Sequence, residues 1–345
     1  MYQIVKKRFG PLLCSWVPLG LWHHLVDADL VIPHWHLASD QELAHVKGLY
    51  GYRNRRQFTE DLTFFLRHYE PISLGELLRR LDGIGRFPKR CVLFTFDDGF
   101  REIYDIVAPI LYTKGIPATF FLITSVLDNR ELCYPQKKSL LINALNRLKG
   151  SPIAQEVSRH LSDAGIEGPD IVSRIRSIYY RKRHLLDELE SIVGCDFRAY
   201  VSSVQPYLSS DQVRDLLKKG FDLGAHSVDH PNYSELSLDE QLAQTIESTK
   251  FISAQYDYQC NTFAFPYTDS GISPEFYQRA FSGNILKASF GIGGITRGNF
   301  IRHLPRFTME RTSLPAGQIL ARQFGRALMR QPLTTSGQAH SMKIN

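Results

Sequence analysis

From Cys91 to Phe96 the chain reads C-V-L-F-T-F, a continuous apolar and β-rich run of the kind found in a strand buried on both faces. Asp97-Asp98-Gly99 ends it. Over residues 101–114, Ile103, Val107, Ile110 and Leu111 recur at helical spacing, and Gly115-Ile116-Pro117 breaks that helix. Ala118 to Ile123 (A-T-F-F-L-I) is the next strand, which completes a βαβ unit. Upstream, Phe58–His68 and Leu74–Leu81 read as helices around the extended Tyr69–Ile72. Residues 135–205 are polar and helical in pattern without a strong strand, as expected of an inserted helical subdomain or lid. A second alternation follows. It predicts a helix over Asp211–Lys219, a strand over Phe221–Ala225, a long helix over Leu238–Tyr256 and a strand over Thr262–Phe265. Residues 331–345 are small and polar without periodicity, the pattern of a flexible tail.

The N-terminus is less regular. Lys6-Lys7-Arg8 precedes an apolar stretch from Phe9 to Trp22, which Pro11, Pro18 and two glycines interrupt. No small-residue cleavage site follows, and the stretch is shorter than the ~20 residues that span a bilayer. It reads as a first strand region, with no transmembrane segment.

At 345 residues, with 43% hydrophobic and 22% charged positions, the chain can bury a large α/β core. The formal charge of +6 is spread in short clusters, which fits a solvated surface better than phosphate or anionic-glycan contact, and no nucleic-acid partner is expected. Five scattered cysteines, none in a C-x-x-C pair, argue against a disulfide scaffold or structural zinc cluster and favour a reducing, cytoplasmic setting.

Three strand ends carry chemistry. Thr95-Phe96-Asp97-Asp98-Gly99 places two adjacent carboxylates after a buried strand, a costly arrangement unless they bind a cation or share a proton. One carboxylate can ligate while its neighbour faces a water; the bland alternative is a capping Asp-Gly turn. His226-Ser227-Val228-Asp229-His230-Pro231 puts two histidines four apart beyond another strand, where they can converge on one divalent metal. Phe263-Ala264-Phe265-Pro266-Tyr267 offers an aromatic wall and a proline-fixed backbone at the end of a third strand.

Together these stretches resemble the polysaccharide deacetylase family, the NodB-homology carbohydrate esterases. T-F-D-D-G and H-[ST]-x-x-H-P are both present letter for letter. The third motif, R-x-P-[YFW]-G, is partial: Ala264, Pro266, Tyr267 and Thr268 stand in its places, so its arginine and final glycine are missing. It looks like the branch that writes this motif F-A-Y-P-Y-G.

The resemblance implies a distorted (β/α) barrel over residues 1–330 with a helical insertion near 135–205. It implies a metal held by Asp98, His226 and His230, with Zn2+ foremost and Co2+, Ni2+ or Mn2+ as alternatives. Asp97 would be the general base. Tyr267 would lend its backbone N–H to the oxyanion, and Pro266 would shape the substrate groove. Arg306, in an L-P-R element, or Arg302 would stand in for the missing arginine, the latter also as a glycan contact. The general acid would be His24, within Leu21-Trp22-His23-His24-Leu25-Val26, with His303 as the alternative. The expected activity is hydrolysis of an N-acetyl or similar acyl group on an amino-sugar glycan or glycan-lipid. The alternatives are an inactive carbohydrate-binding relative or a hydrolase of a non-sugar amide.

Overall fold

The computed structural model describes residues 19–330 apart from 27, 89, 296–300 and 311–312; the side chains of 23, 24 and 330 also fall outside it. Its strands are β1 (Leu30–Val31), β2 (Pro33–Trp35), β3 (Glu70–Pro71), β4 (Cys91–Val92), β5 (Phe94–Phe96), β6 (Ala118–Leu122), β7 (Asp222–Ala225), β8 (Thr262–Ala264), β9 (Ala288–Gly291), β10 (His303–Pro305) and β11 (Phe307–Thr308). Eight of them form one sheet in the order β10-β9-β8-β7-β6-β5-β2-β11, every pairing parallel. β10 and β11 are two halves of one run of chain, parted only by Arg306. The first half pairs with β9 and the second with β2, so the ladder closes on itself. The expected distorted (β/α) barrel is the observed architecture. β1 and β4 lead directly into β2 and β5, and with β3 they form a small second sheet at the amino ends of the barrel strands.

Alternation along the strands separates the layers. Trp35 has Phe94, Phe96, Phe58 and Phe65 all within 6.3 Å between ring centroids, the last two on the helix Arg55–His68. Phe121, Ala264, Phe290 and Leu304 meet Ile32 and Leu93 in a separate interior cluster. Leu74, Leu77 and Leu81 close that cluster; their helix is tied to the start of β7 where Asp222 accepts the Leu74 amide at 3.0 Å.

Between β6 and the helix Ser210–Lys218 that leads into β7, the chain forms five α-helices, Tyr134–Arg147, Pro152–Asp163, Ile171–Ser177, Leu185–Val193 and Phe197–Val204. They share an apolar core of their own that includes Leu141, Val157, Leu161, Ile175 and Leu189. Ser139 fastens this unit to the loop after β2: its hydroxyl donates to the Ala44 carbonyl at 2.7 Å and accepts the Gly48 amide at 2.9 Å.

The N-terminal expectation needs correcting. Residues 1–18 lie outside the described residues, and Leu19–Leu25 is a helix rather than a strand. Trp22 and Val26 are buried and recur at helical spacing, with Trp22 stacked on Phe324 of the C-terminal helix Ala316–Arg330 at 6.3 Å. That period of about 3.6 defines an amphipathic helix. The strand that enters the barrel comes later, at Pro33–Trp35.

Candidate active site

Parallel barrels gather their chemistry at the carboxyl ends of the strands, and here each motif leaves its strand at that rim. A cleft of about 530 Å³ opens there, lined on the barrel side by His34, His36, Asp97, Asp98, His226, His230, Phe265, Tyr267 and Glu310. The exits are sharply bent. Asp98, Ser227, His230 and Tyr267 all have φ between 55° and 73°, a region that non-glycine residues occupy only when their surroundings hold them there. Gly99 has φ 77°, which a side chain would strain, and a Cβ there would sit tightly, 3.2 Å from the Leu122 methyl.

Asp98, His226 and His230 converge. The Nε2 atoms of both histidines lie 3.4 Å from Asp98 Oδ1. His226 Nδ1–H donates to the Ala264 carbonyl at 2.8 Å, which turns its Nε2 lone pair towards the carboxylate. Burial pushes His230 down to about 3, so it is neutral, with Asp98 and Asp97 only partly opposing the shift. Asp98 Oδ2 accepts the Tyr50 hydroxyl at 3.3 Å, whereas the buried Oδ1 has no hydrogen-bond partner among the described residues. His226 Nε2 and Asp98 Oδ1, both acceptors, repel unless a cation lies between them. Tetrahedral bonds of about 2.1 Å set neighbouring ligand atoms about 3.4 Å apart, so the spacing suits a metal such as zinc.

Asp97 is held differently. Arg306 clamps it in a bidentate pair, Nη1 to Oδ1 at 2.7 Å and Nη2 to Oδ2 at 2.8 Å, and the guanidinium is fully buried. Burial alone would raise the Asp97 carboxyl. The Arg306 charge, with His226 and His34 nearby, overcomes this and holds it well below the usual carboxylate range. This arginine comes from the break between β10 and β11, where Arg306 N–H bonds the Gly291 carbonyl at 3.0 Å. Arg306→Met should leave a buried unpaired carboxylate and cost roughly 3–5 kcal/mol of stability. The denaturation midpoint checks this, and adding Asp97→Asn should recover much of the loss. No change in midpoint would refute the clamp.

Two other sequence candidates, Arg302 and His303, lie away from the cleft. Arg302 lies at the opposite, amino-terminal rim, where it bonds Asp82 at 2.8 Å and the Lys287 carbonyl at 3.1 Å; it cannot reach the cleft. His303 packs against Tyr277 and Phe265, and its ring nitrogens are taken by Ser289 at 2.8 Å and Asp269 at 3.0 Å. Alternation explains this, because Leu304 and Arg306 take the inward positions of that strand. The backbone of His24 belongs to the helix Leu19–Leu25, and its side chain lies outside the described residues. Tyr267 packs its ring against His230 at 4.6 Å between centroids, and its amide makes no hydrogen bond to the described residues. Pro266 is buried between the two cleft residues Phe265 and Tyr267.

Sequence reasoning missed His36 and Glu310. His36 leaves the end of β2, beside β5 in the register that pairs His34 with Thr95. Glu310 follows β11, accepts the His36 and Leu37 amides at 2.9 and 3.2 Å, and holds His36 Nδ1 at 2.5 Å. Burial would lower His36, but Glu310, Asp98 and Asp97 together raise it to about 9. The available signal was P-H-W-H at the end of an apolar run, with period 2 pointing its histidines to one face.

The sequence pattern of the family described as polysaccharide deacetylase matches residues 84–279. A 41-residue stretch is 54% identical to the poly-beta-1,6-N-acetyl-D-glucosamine N-deacetylase of Staphylococcus epidermidis; it covers 12% of this chain and 14% of that enzyme. Among solved structures, the Streptococcus pyogenes deacetylase PplD superposes with a TM-score of 0.55 at 16% identity, over 86% of this chain and 99% of the other. IcaB from Ammonifex degensii gives 0.54 at 16% identity, over 85% and 97%. At such identities the likeness speaks for the fold.

Proposed function

The chain belongs to the polysaccharide deacetylase family, whose pattern spans more than half of it, and from that premise we propose that it hydrolyses the N-acetyl group of an N-acetylglucosamine-type glycan. The observation that carries this reading is one cleft holding a three-ligand metal cradle, an arginine-clamped carboxylate and a charged histidine. The short similarity to a poly-N-acetylglucosamine N-deacetylase supports the sugar.

Asp98, His226 and His230 would hold the divalent cation. When bound, it supplies Lewis acidity that polarises the acyl carbonyl and makes the attacking water more acidic. Asp97, oriented by Arg306, takes the proton from that water. The Tyr267 amide donates to the developing oxyanion, and the ring of Tyr267 meets His230 edge-on in the wall of the cleft. His36, held by Glu310, delivers a proton to the leaving amine, without which the amide nitrogen departs poorly.

The test is acetate release from N-acetylglucosamine oligomers by the metal-loaded chain, followed against pH. His36 is charged through neutral pH and loses its proton as pH rises through about 9. The rate should therefore fall on the alkaline side, at or below that value because a bound cation repels the imidazolium. His36→Gln should lower kcat by about 10²–10⁴-fold and abolish that limb. An alkaline limb that persists in this variant would assign the acid elsewhere. Failure of the wild type to release acetate from any oligomer would sink the hydrolytic reading.

A further inference from the structure

Two cations of the cleft have no carboxylate partner among the described residues. Asp97 has Arg306, Glu310 has His36, and Asp98 faces His226 and His230. Lys138 and Arg176, both from the helical insertion, also line the cleft. Among the described residues, neither has a carboxylate within ion-pair distance; their contacts are to carbonyl groups. The Lys138 ammonium donates to the Ile178 carbonyl and, at 3.2 Å, to the Arg176 carbonyl, and it lies 5.0 Å from the Tyr134 ring centroid. Arg176 grips the Gly48 carbonyl through Nε at 3.2 Å and Nη2 at 3.0 Å, and Nη1 makes no bond to the described residues.

Lys138 is only 8% exposed. A buried cation with no ion-pair partner is costly, and burial lowers this ammonium to about 8, the more distant charge of Glu235 opposing the shift only in part. Each of its two carbonyl acceptors takes one of its three protons, so one donor remains. The two side chains share a support, since the backbone of 176–178 that carries Arg176 also cradles Lys138. The insertion around them is basic, with eleven Lys and Arg against eight Asp and Glu over 135–205. On the opposite face of the cleft, by contrast, Asp97 is paired with Arg306 and Glu310 with His36.

We propose that Lys138 and Arg176 form a subsite for an anionic group, a sugar carboxylate or a phosphate ester, on the glycan next to the N-acylated residue. The chain then selects negatively charged glycans over neutral ones. This rests on the hydrolytic reading above for the identity of the glycan, but not for the capture of the anion. Arg176 meets the anion with its guanidinium edge at the mouth of the cleft. Lys138 completes the contact from deeper in the wall, and the anion replaces the missing counter-charge.

The experiment uses three N-acetylglucosamine tetramers on the full metal-loaded chain. One is neutral, one carries lactyl carboxylates on alternate residues, and one carries a terminal phosphate ester. For the wild type, kcat/KM on at least one anionic tetramer should exceed the neutral value roughly tenfold or more, chiefly through KM. Which anionic arm wins tells carboxylate from phosphate. In Arg176→Gln and in Lys138→Met the ratio of anionic to neutral kcat/KM should fall towards one. Equal values for all three tetramers in the wild type overturn the subsite, as does a preference that survives both substitutions. Should Lys138→Met fail to fold, Arg176→Gln decides alone, because that side chain is exposed. If no tetramer releases acetate, calorimetric binding of the same three to wild type and Arg176→Gln decides. Tighter anionic binding lost in the variant sustains the subsite while the hydrolytic reading falls, and equal binding overturns the subsite too.

Discussion

Asp97→Asn is expected to lower kcat by about 10²–10⁴-fold while the metal content stays that of the wild type. The amide is the same size as the carboxylate but cannot take a proton from water. The geometry separates the two neighbours: Asp98 Oδ1 faces two imidazole nitrogens at 3.4 Å, whereas both oxygens of Asp97 are engaged by Arg306. The substitution turns an amide NH2 towards one guanidinium nitrogen, so a stability loss of about 1–3 kcal/mol should accompany it. Turnover and stability can be read apart by assaying well below the melting temperature. Loss of metal in Asp97→Asn would mean that the roles of Asp97 and Asp98 are interchanged.

Stripping the divalent cation with a chelator should abolish acetate release, and adding it back should restore activity. The same treatment should lower the melting temperature, since a ligand that binds only the folded state stabilises it by about 2.7 kcal/mol at a hundred times its Kd. Asp98→Ala removes the carboxylate of the cradle, and His230 and His226 alone should not retain metal through dialysis. That variant should be inactive and should show no metal-dependent rise in melting temperature. Comparing Zn2+, Co2+, Ni2+ and Mn2+ in the wild type identifies the preferred ion, because two imidazoles and one carboxylate suit all four. Full activity in chelated protein with metal content verified as zero would refute the cradle.

Much of the barrel was legible because its signals are local. C-V-L-F-T-F and A-T-F-F-L are hydrophobic on both faces, which only a doubly covered strand satisfies. The helix Leu238–Tyr256 begins where Ser237 and Glu240 form a capping box, and the expected bounds match. The segment expected to be helical over 101–114 is interrupted in kind rather than place. It opens as a wide π-turn at Ile103–Val107 before the α-helix Ala108–Thr113, whose Pro109 cannot donate to the ladder. The first barrel strand was harder to see. Leu30–Val31 and Pro33–Trp35 are short, Pro33 disguises the run, and the longer apolar stretch before it competes for the assignment.

The sequence by itself determined which residue types stand at which strand ends: two aspartates after β5, two histidines after β7, and an aromatic turn after β8. These follow from periodicity and from letters in a row, and both are properties of neighbouring residues. Tertiary structure alone decided the partners, since they are far apart in the chain. Arg306 reaches Asp97 across 209 positions, and Glu310 reaches His36 across 274. Both contacts exist because the last strand splits at Arg306 and closes the barrel between β9 and β2. Alternation along that strand turns Arg306 inward and His303 outward, a choice fixed by which face packs on the helix Pro274–Ser282. No local pattern encodes that closure, which depends on the register of strands brought together only when the barrel forms.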